Sequence, residues 1–191
     1  MNAYRFDVRE YVKIYPDALS EKDCKKTIKK LQKKVTWDKH SYYDANKDYS
    51  ETYDNDLYVT VGSGKFFDKQ NKLIWNYIHD YIMNHIKQPS FSSWSGYTRI
   101  RYNRYNLGEE MRNHVDHINS IFDGTIKGVP VITVLGSLND DYEGGKFIMF
   151  NDVEINFPAG SIIVFPSSFL FPHLITPITK GTRYSFVSWV W

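Results

Sequence analysis

A chain of 191 residues is the size of one domain, and its 42% of apolar residues can bury a core, which excludes a disordered chain. Lysine and arginine (24) nearly balance aspartate and glutamate (22), so the charge does not indicate a nucleic-acid partner. A single cysteine, Cys24, excludes an internal disulfide and a cysteine-based metal cage. The sequence has no apolar run of membrane-spanning length and no apolar secretory signal over Met1–Glu10. We therefore expect one cytoplasmic domain that binds neither nucleic acid nor membrane.

The first half predicts two amphipathic helices. The first, over Ser20–Val35, opens with a Ser-x-x-Asp capping pair. The second, over Phe67–Ile86, ends shortly before Pro89, because a proline disfavours helix in the residue before it. We interpret the many lysines of the first helix as its solvated face, and His79 and His85 as structural or exposed, because neither has a partner at metal-ligand spacing. The positions expected to face the core are Cys24, Ile28, Leu31 and Val35 in the first helix and Ile74, Tyr77, Ile78, Tyr81 and Ile82 in the second.

The segment between the helices, Ser41–Leu57, is polar and dense in tyrosine and aspartate. It shows no apolar period that would tie it to a core. Such a segment is either a plain surface loop or a lid over a site, and both interpretations stay open.

From Tyr97 onward the pattern changes to short segments rich in valine, isoleucine, threonine and aromatic residues, separated by glycine, proline and aspartate turns. The predicted strands are Thr98–Tyr105, Met111–His117, Val129–Leu138, Lys146–Phe150, Ser161–Phe165, Leu170–Thr176 and Thr182–Trp191. This spacing predicts a sandwich or barrel with the two helices packed on its outer face. We expect one domain over residues 1–191, with helical support over about 1–95 and the β core over about 96–191.

Four residues are candidates for chemistry. His114 and Asp116 are two apart on a predicted strand, so their side chains point to the same face, and they supply two members of the 2-His-1-carboxylate set that binds non-haem Fe(II). His173, on a later strand, is the candidate third ligand, although it also fits a satisfied core histidine. Arg183 opens an apolar strand with no acidic residue nearby in sequence. A bound dicarboxylate would neutralise it, with the Ser185 hydroxyl as a second donor.

The ordered set His114-x-Asp116, His173 and Arg183-x-Ser185 resembles the 2-oxoglutarate- and Fe(II)-dependent dioxygenases, and most closely their prolyl 4-hydroxylase branch. Stretches that also match are Arg104-Tyr105, Ser137-Leu138-Asn139, Glu143-Gly144-Gly145 and Pro158 to Pro166. The chain departs from the family at Met111, where an aromatic residue is common, and at Arg183, where lysine is frequent. The resemblance implies an α+β fold in which a double-stranded β-helix (jelly-roll) core is supported by two N-terminal helices.

The same resemblance implies the roles of the site residues. It assigns the metal to His114, Asp116 and His173, the cosubstrate to Arg183, Tyr105, Ser185 and Thr133, and the substrate pocket to Trp189 and Met111. Trp189 fits a core tryptophan equally well. The cofactors implied are Fe(II), 2-oxoglutarate and O₂, with ascorbate as an additional reductant.

The expected substrate is a peptidyl proline, with a free amino acid or another small molecule as the alternative. Tyrosines of Ser41–Leu57 would stack on a proline ring if that segment is a lid.

Two other classes of protein stay open. A cupin-type enzyme would need more metal-binding histidines and would not need Arg183. A non-enzymatic jelly-roll binding module would leave the four candidate residues as coincidence. Oligomeric state is not predicted.

Overall fold

The computed structural model describes residues 7–34, 36–44, 49–87, 96–117 and 129–191. Its helices are α1 (Glu21–Lys34) and α2 (Lys65–Asp80), with a 3-10 turn at Val8–Tyr11 and a π-helical turn at Tyr81–His85 that continues α2. Its strands are β1 (Lys13–Tyr15), β2 (Asp38–Lys39), β3 (Tyr42–Asp44), β4 (Tyr49–Glu51), β5 (Tyr58–Val61), β6 (Arg101–Tyr105), β7 (Met111–His114), β8 (Ile132–Ser137), β9 (Glu143–Gly144), β10 (Phe147–Met149), β11 (Val153–Ile155), β12 (Ile162–Pro166), β13 (His173–Ile175), β14 (Ile178–Lys180) and β15 (Arg183–Val190).

Both predicted helices are confirmed. The Ser20 hydroxyl accepts a hydrogen bond from the Asp23 amide at 3.1 Å and caps α1, which begins at the next residue. The predicted core positions Cys24, Leu31, Ile74, Ile78, Tyr81 and Ile82 are buried. Val35 lies outside the described residues. Neither helix of the described chain is long and apolar enough to cross a membrane.

Eleven of the fifteen strands in the described chain form two antiparallel sheets of jelly-roll type. The larger has the strand order β1-β12-β8-β15-β6-β5-β2, and the smaller has the order β11-β10-β13-β7. The short pairs β14-β9 and β3-β4 complete the β structure of the described residues. Each of the seven predicted strands is present, with one or more residues trimmed from most of their ends because the turn residues do not pair.

The larger sheet buries both faces, because alternate residues of its central strands point to opposite sides. On β12, Ile162 and Val164 join the cluster that packs under the helices, whereas Ile163 and Phe165 join the cluster between the two sheets. Every residue of β15 is buried. Since Tyr184 and Phe186 of β15 face the helices, the odd-numbered residues Arg183, Ser185, Val187 and Trp189 point between the sheets and line a cavity there.

The interpretation of Ser41–Leu57 as untied to a core is wrong. Leu57 is fully buried among residues of the cluster between the sheets, and Tyr42 packs against the same cluster. Residues 42–44 and 49–51 pair as a hairpin, and residues 45–48 lie outside the described chain. The sequence also missed β1, β2 and β5, which add to the larger sheet. These strands have only two to four residues, too few for an alternating pattern to show.

Candidate metal centre and cosubstrate site

Two strands of the smaller sheet bring the predicted metal residues together. β13 pairs with β7 in a register that places His173 directly opposite His114, and the two imidazole centroids are 4.3 Å apart. β7 ends at His114, so Asp116 lies on the bend after the strand and not on it as predicted. The Asp116 carboxylate still lies on the same side as the two imidazoles. Its two oxygens lie 3.5 Å from His114 Nε2 and 3.8 Å from His173 Nε2.

Backbone carbonyls fix the orientation of both imidazoles. His114 Nδ1 lies 2.7 Å from the Arg112 carbonyl oxygen, and His173 Nδ1 lies 3.1 Å from that of Phe171. If Nδ1 donates to these carbonyls, each Nε2 keeps its lone pair and faces Asp116. Burial, followed by the charge of His114, lowers the pKa of His173 to about 4, so this imidazole is neutral at physiological pH. A neutral imidazole is the form that binds a metal ion.

Asp116 is buried and ionised. Burial raises the pKa of its carboxyl, but hydrogen bonding and the charges of His114 and His173 outweigh burial, so the net pKa is lowered. Thr133 Oγ1 donates to Asp116 Oδ2 at 2.8 Å and lies 2.8 Å from Ser167 Oγ. Thr133 therefore supports the carboxylate of Asp116 at this end of the cavity. The sequence-based prediction places its hydroxyl beside the carboxylate of the cosubstrate instead.

These three residues fit a bound Fe(II). Their candidate ligand atoms all lie within 4.8 Å of one another, close enough to share one ion. Two imidazoles and one carboxylate on the same side of an ion form the facial triad of non-haem Fe(II) oxygenases, which leaves the remaining coordination positions open. Asp116 is ionised and His173 is neutral, which are the forms of these side chains that bind a metal ion.

Arg183 lies at the far end of the same cavity without a carboxylate partner among the described residues. It is 2% exposed, and its guanidinium donates to Ser185 Oγ at 2.9 Å and to the Tyr142 hydroxyl at 3.2 Å. It also lies over the Tyr105 ring at 5.0 Å. Burial raises the pKa of Tyr105, so its phenol remains a hydrogen-bond donor. A buried cation surrounded by hydroxyl groups has the chemistry to bind a carboxylate.

The cavity between the two ends is lined by both predicted substrate-pocket residues, Trp189 and Met111. The Tyr42 hydroxyl contacts the Met111 sulfur at 3.1 Å, so Tyr42 of β3 lies beside the cavity wall. His40 is nearby as well. Its pKa falls to about 3 because of burial and the charges of Arg101 and His114.

The sequence analysis missed Tyr142, Arg101 and Asn103. Tyr142 lies on the bend between β8 and β9, where no sequence pattern indicates its contact with Arg183. Arg101 and Asn103 did leave a signal. They alternate with Tyr102 and Arg104 on β6, which places them on the same strand face as Tyr105, and all three line the cavity.

Comparison with known proteins agrees with this geometry. The family model of the 2OG-Fe(II) oxygenase superfamily matches residues 100–191, which include every residue of the proposed metal and cosubstrate sites. Residues 100–191 are therefore similar to a 2OG-Fe(II) oxygenase domain. A PKHD-type hydroxylase of Delftia acidovorans is 38% identical over 99 residues, which cover 47% of this chain and 41% of that protein. One of Methylobacterium nodulans is 35% identical over 101 residues, covering 46% and 40%. The chain thus spans about two fifths of the length of these curated relatives.

Solved structures show the same fold. A prolyl hydroxylase from Trichoplax adhaerens, in complex with a peptide of hypoxia inducible factor, superposes with a TM-score of 0.72 at 15% identity, over 95% of this chain and 84% of that one. A viral collagen prolyl hydroxylase from Paramecium Bursaria Chlorella virus-1 gives 0.67 at 15% identity, over 94% and 95%. A Pseudomonas putida prolyl-4-hydroxylase gives 0.65 at 16% identity, over 94% and 91%.

Proposed function

We propose that this protein is a 2-oxoglutarate- and Fe(II)-dependent oxygenase that hydroxylates an unactivated C–H bond. The observation that carries the proposal is one cavity with a metal-binding triad at one end and the unneutralised Arg183 at the other. In this proposal the two sheets are a double-stranded β-helix. One domain covers residues 1–191, with N-terminal support over about 1–95 and the catalytic core over about 96–191.

Fe(II) and 2-oxoglutarate, when bound, supply the oxidation: one atom of O₂ enters the C–H bond, the other enters succinate, and CO₂ leaves. The protein orients these groups and excludes water. His114, Asp116 and His173 would hold the ion on one face. Arg183 would bind the far carboxylate of 2-oxoglutarate, with hydroxyl donors from Tyr105 and Ser185.

Peptidyl proline is the proposed substrate, and a free amino acid or another small molecule is the alternative. Support for the first comes from the prolyl hydroxylases that share the fold, one of which is seen with a peptide. β3 also lies beside the cavity, through the contact of Tyr42 with Met111. In a lid role, its Tyr42 and the neighbouring Tyr53 would contact a bound peptide.

The test is hydroxylation measured across a panel of proline-containing peptides, free proline and other amino acids, with Fe(II), 2-oxoglutarate and ascorbate as a reductant. The proposal predicts that at least one compound gains the mass of one oxygen atom, with stoichiometric succinate. Gain by a free amino acid and by no peptide would remove the peptidyl-proline substrate and leave the oxygenase. Absence of succinate release with every compound would contradict the oxygenase itself.

A further inference from the structure

A second cation lies in the active-site cavity, and neither the metal nor the proposed cosubstrate role accounts for it. Arg101 lines the cavity, and its guanidinium carbon is 4.8 Å from the centre of the Trp189 ring. Its Nε atom is buried and has no hydrogen-bond partner, and the described residues give it no ion pair. Arg101 is partly exposed to the cavity, and a buried guanidinium nitrogen without a hydrogen-bond partner is costly, so the group is expected to bind an anion.

Asn103 is a second unpartnered polar group on the same strand face. It is 4% exposed, lines the same cavity, and its side-chain oxygen is buried without a hydrogen-bond partner. Buried amide oxygens are nearly always hydrogen-bonded in folded proteins. Two adjacent polar groups that both lack partners and both face the cavity therefore indicate a ligand that is absent from the chain itself.

The position of Arg101 separates it from the cosubstrate end. On the paired strands β6 and β15, Tyr105 is opposite Arg183, whereas Arg101 is opposite Val187, four residues further along. Arg101 instead contacts the indole of Trp189. The charge of Asp116 raises the pKa of Arg101, against the larger lowering effect of burial. Arg101 thus lies at the metal end, where the reacting C–H bond must be.

The charge of the cavity favours a further anion. Among the described residues that line it, Asp116 is the only acidic one, whereas Arg101 and Arg183 are both cations. Fe(II) and the doubly charged 2-oxoglutarate cancel in formal charge. With both bound, one positive charge is still without a partner.

We propose that Arg101 and Asn103 bind a carboxylate of the primary substrate, next to the carbon that is hydroxylated. This inference rests on the proposed function, which already assigns Arg183 to the far carboxylate of 2-oxoglutarate. It specifies the substrate class: a free amino acid, or the C-terminal residue of a peptide, whose α-carboxylate pairs with the guanidinium. An internal residue of a peptide has no such group.

The first experiment measures binding to the metal-free protein by isothermal titration calorimetry and needs no turnover. The probes are matched pairs: L-proline and L-prolinamide, glycyl-proline and its amide, and the same pairs for the other amino acids. At least one carboxylate should bind about 10- to 100-fold more tightly than its amide. Arg101→Gln should abolish that difference. Arg99→Gln is the matched control, because Arg99 precedes the same strand but pairs with Asp68 at the surface. It should keep the difference.

The second experiment separates the two sources of a carboxylate. Arg101→Gln should raise the KM for the carboxylate substrate and leave the KM for 2-oxoglutarate unchanged, and Arg101→Lys should restore part of the lost affinity. A raised KM for 2-oxoglutarate alone would assign Arg101 to the cosubstrate and overturn the proposal. Equal binding of acids and amides, or binding of no pair, would also overturn it. Carboxylate preference without succinate release would instead leave this inference standing and contradict the oxygenase function.

Discussion

Replacement of Thr133 by valine tests how Asp116 is prepared for metal binding. Thr133 is fully buried, and its hydroxyl donates to Asp116 Oδ2 at 2.8 Å. Valine has nearly the same shape but no hydroxyl, so Thr133→Val removes this donor and leaves the packing in place. Ser167, whose hydroxyl lies 2.8 Å from that of Thr133, loses a partner as well.

Thr133→Val should weaken both metal binding and the stability of the metal-free protein. Loss of a group that orients a metal ligand typically costs 10- to 100-fold in metal affinity, which is about 1.4 to 2.7 kcal/mol. In the metal-free protein, loss of a hydrogen bond to a charged acceptor costs about 1.5 to 3 kcal/mol of unfolding free energy. Because Thr133 is paired with Trp189 and not with Arg183, the KM for 2-oxoglutarate at saturating metal should not change.

The assay is calorimetric titration of Fe(II) under anaerobic conditions, together with urea unfolding of the metal-free protein. Thr133→Ser keeps the hydroxyl and is the matched control; it should bind metal nearly as the unaltered chain does. An unchanged metal affinity in Thr133→Val would refute the reasoning. So would equal weakening by serine and valine, because that result would trace the effect to packing.

Three further predictions concern other parts of the site. Arg183→Gln should raise the KM for 2-oxoglutarate by roughly 30- to 1,000-fold, because loss of a desolvated charged contact costs about 2 to 4 kcal/mol. An unchanged KM in steady-state kinetics would remove this role from Arg183. Tyr42→Phe should lower the free energy of unfolding by about 1 to 3 kcal/mol, because the Arg112 amide of β7 donates to the Tyr42 hydroxyl at 2.9 Å and would lose its acceptor. Unchanged stability of this variant in denaturant titration would contradict the prediction. The folded-state pKa of His40 is about 3, below its ordinary value of 6.5. Between these two values the unfolded chain takes up a proton at His40 that the folded chain does not. The free energy of unfolding therefore falls as the pH is lowered from 6.5 towards about 3. His40→Gln should therefore flatten the dependence of Tm on pH in this range, and an unaltered slope would show that His40 does not contribute.

The sequence predicts the parts of this fold that have long or regular patterns. The apolar runs of β12 and β15 and the helical stripes of α1 and α2 are visible in the residues themselves. The spacing His114-x-Asp116 and the isolated His173 and Arg183 are enough to indicate the site from the sequence. Their convergence depends on the pairing of β7 with β13, which follows from the topology implied by the family resemblance.

The rest depends on contacts that a linear pattern does not contain. Thr133 supports Asp116 because of the cross-strand register of β8, which no local motif encodes. The strand pair β3-β4 is too short to show a period, and Tyr42 is held by one hydroxyl contact with β7. Arg101 and Asn103 follow the alternation of β6, but polar residues in a strand normally indicate a solvent-facing side. Only the folded structure shows that both line an internal cavity.

The central claim is that His114, Asp116 and His173 hold one Fe(II) that is required for turnover of 2-oxoglutarate. The most direct measurement is Fe(II) stoichiometry and succinate release for the unaltered chain and for Asp116→Ala, with circular dichroism to confirm that the variant is folded. We predict one Fe(II) per chain and Fe(II)-dependent succinate formation for the unaltered chain, and loss of both in the variant. A folded Asp116→Ala protein that bound Fe(II) with the same affinity and released succinate at the same rate would contradict the account.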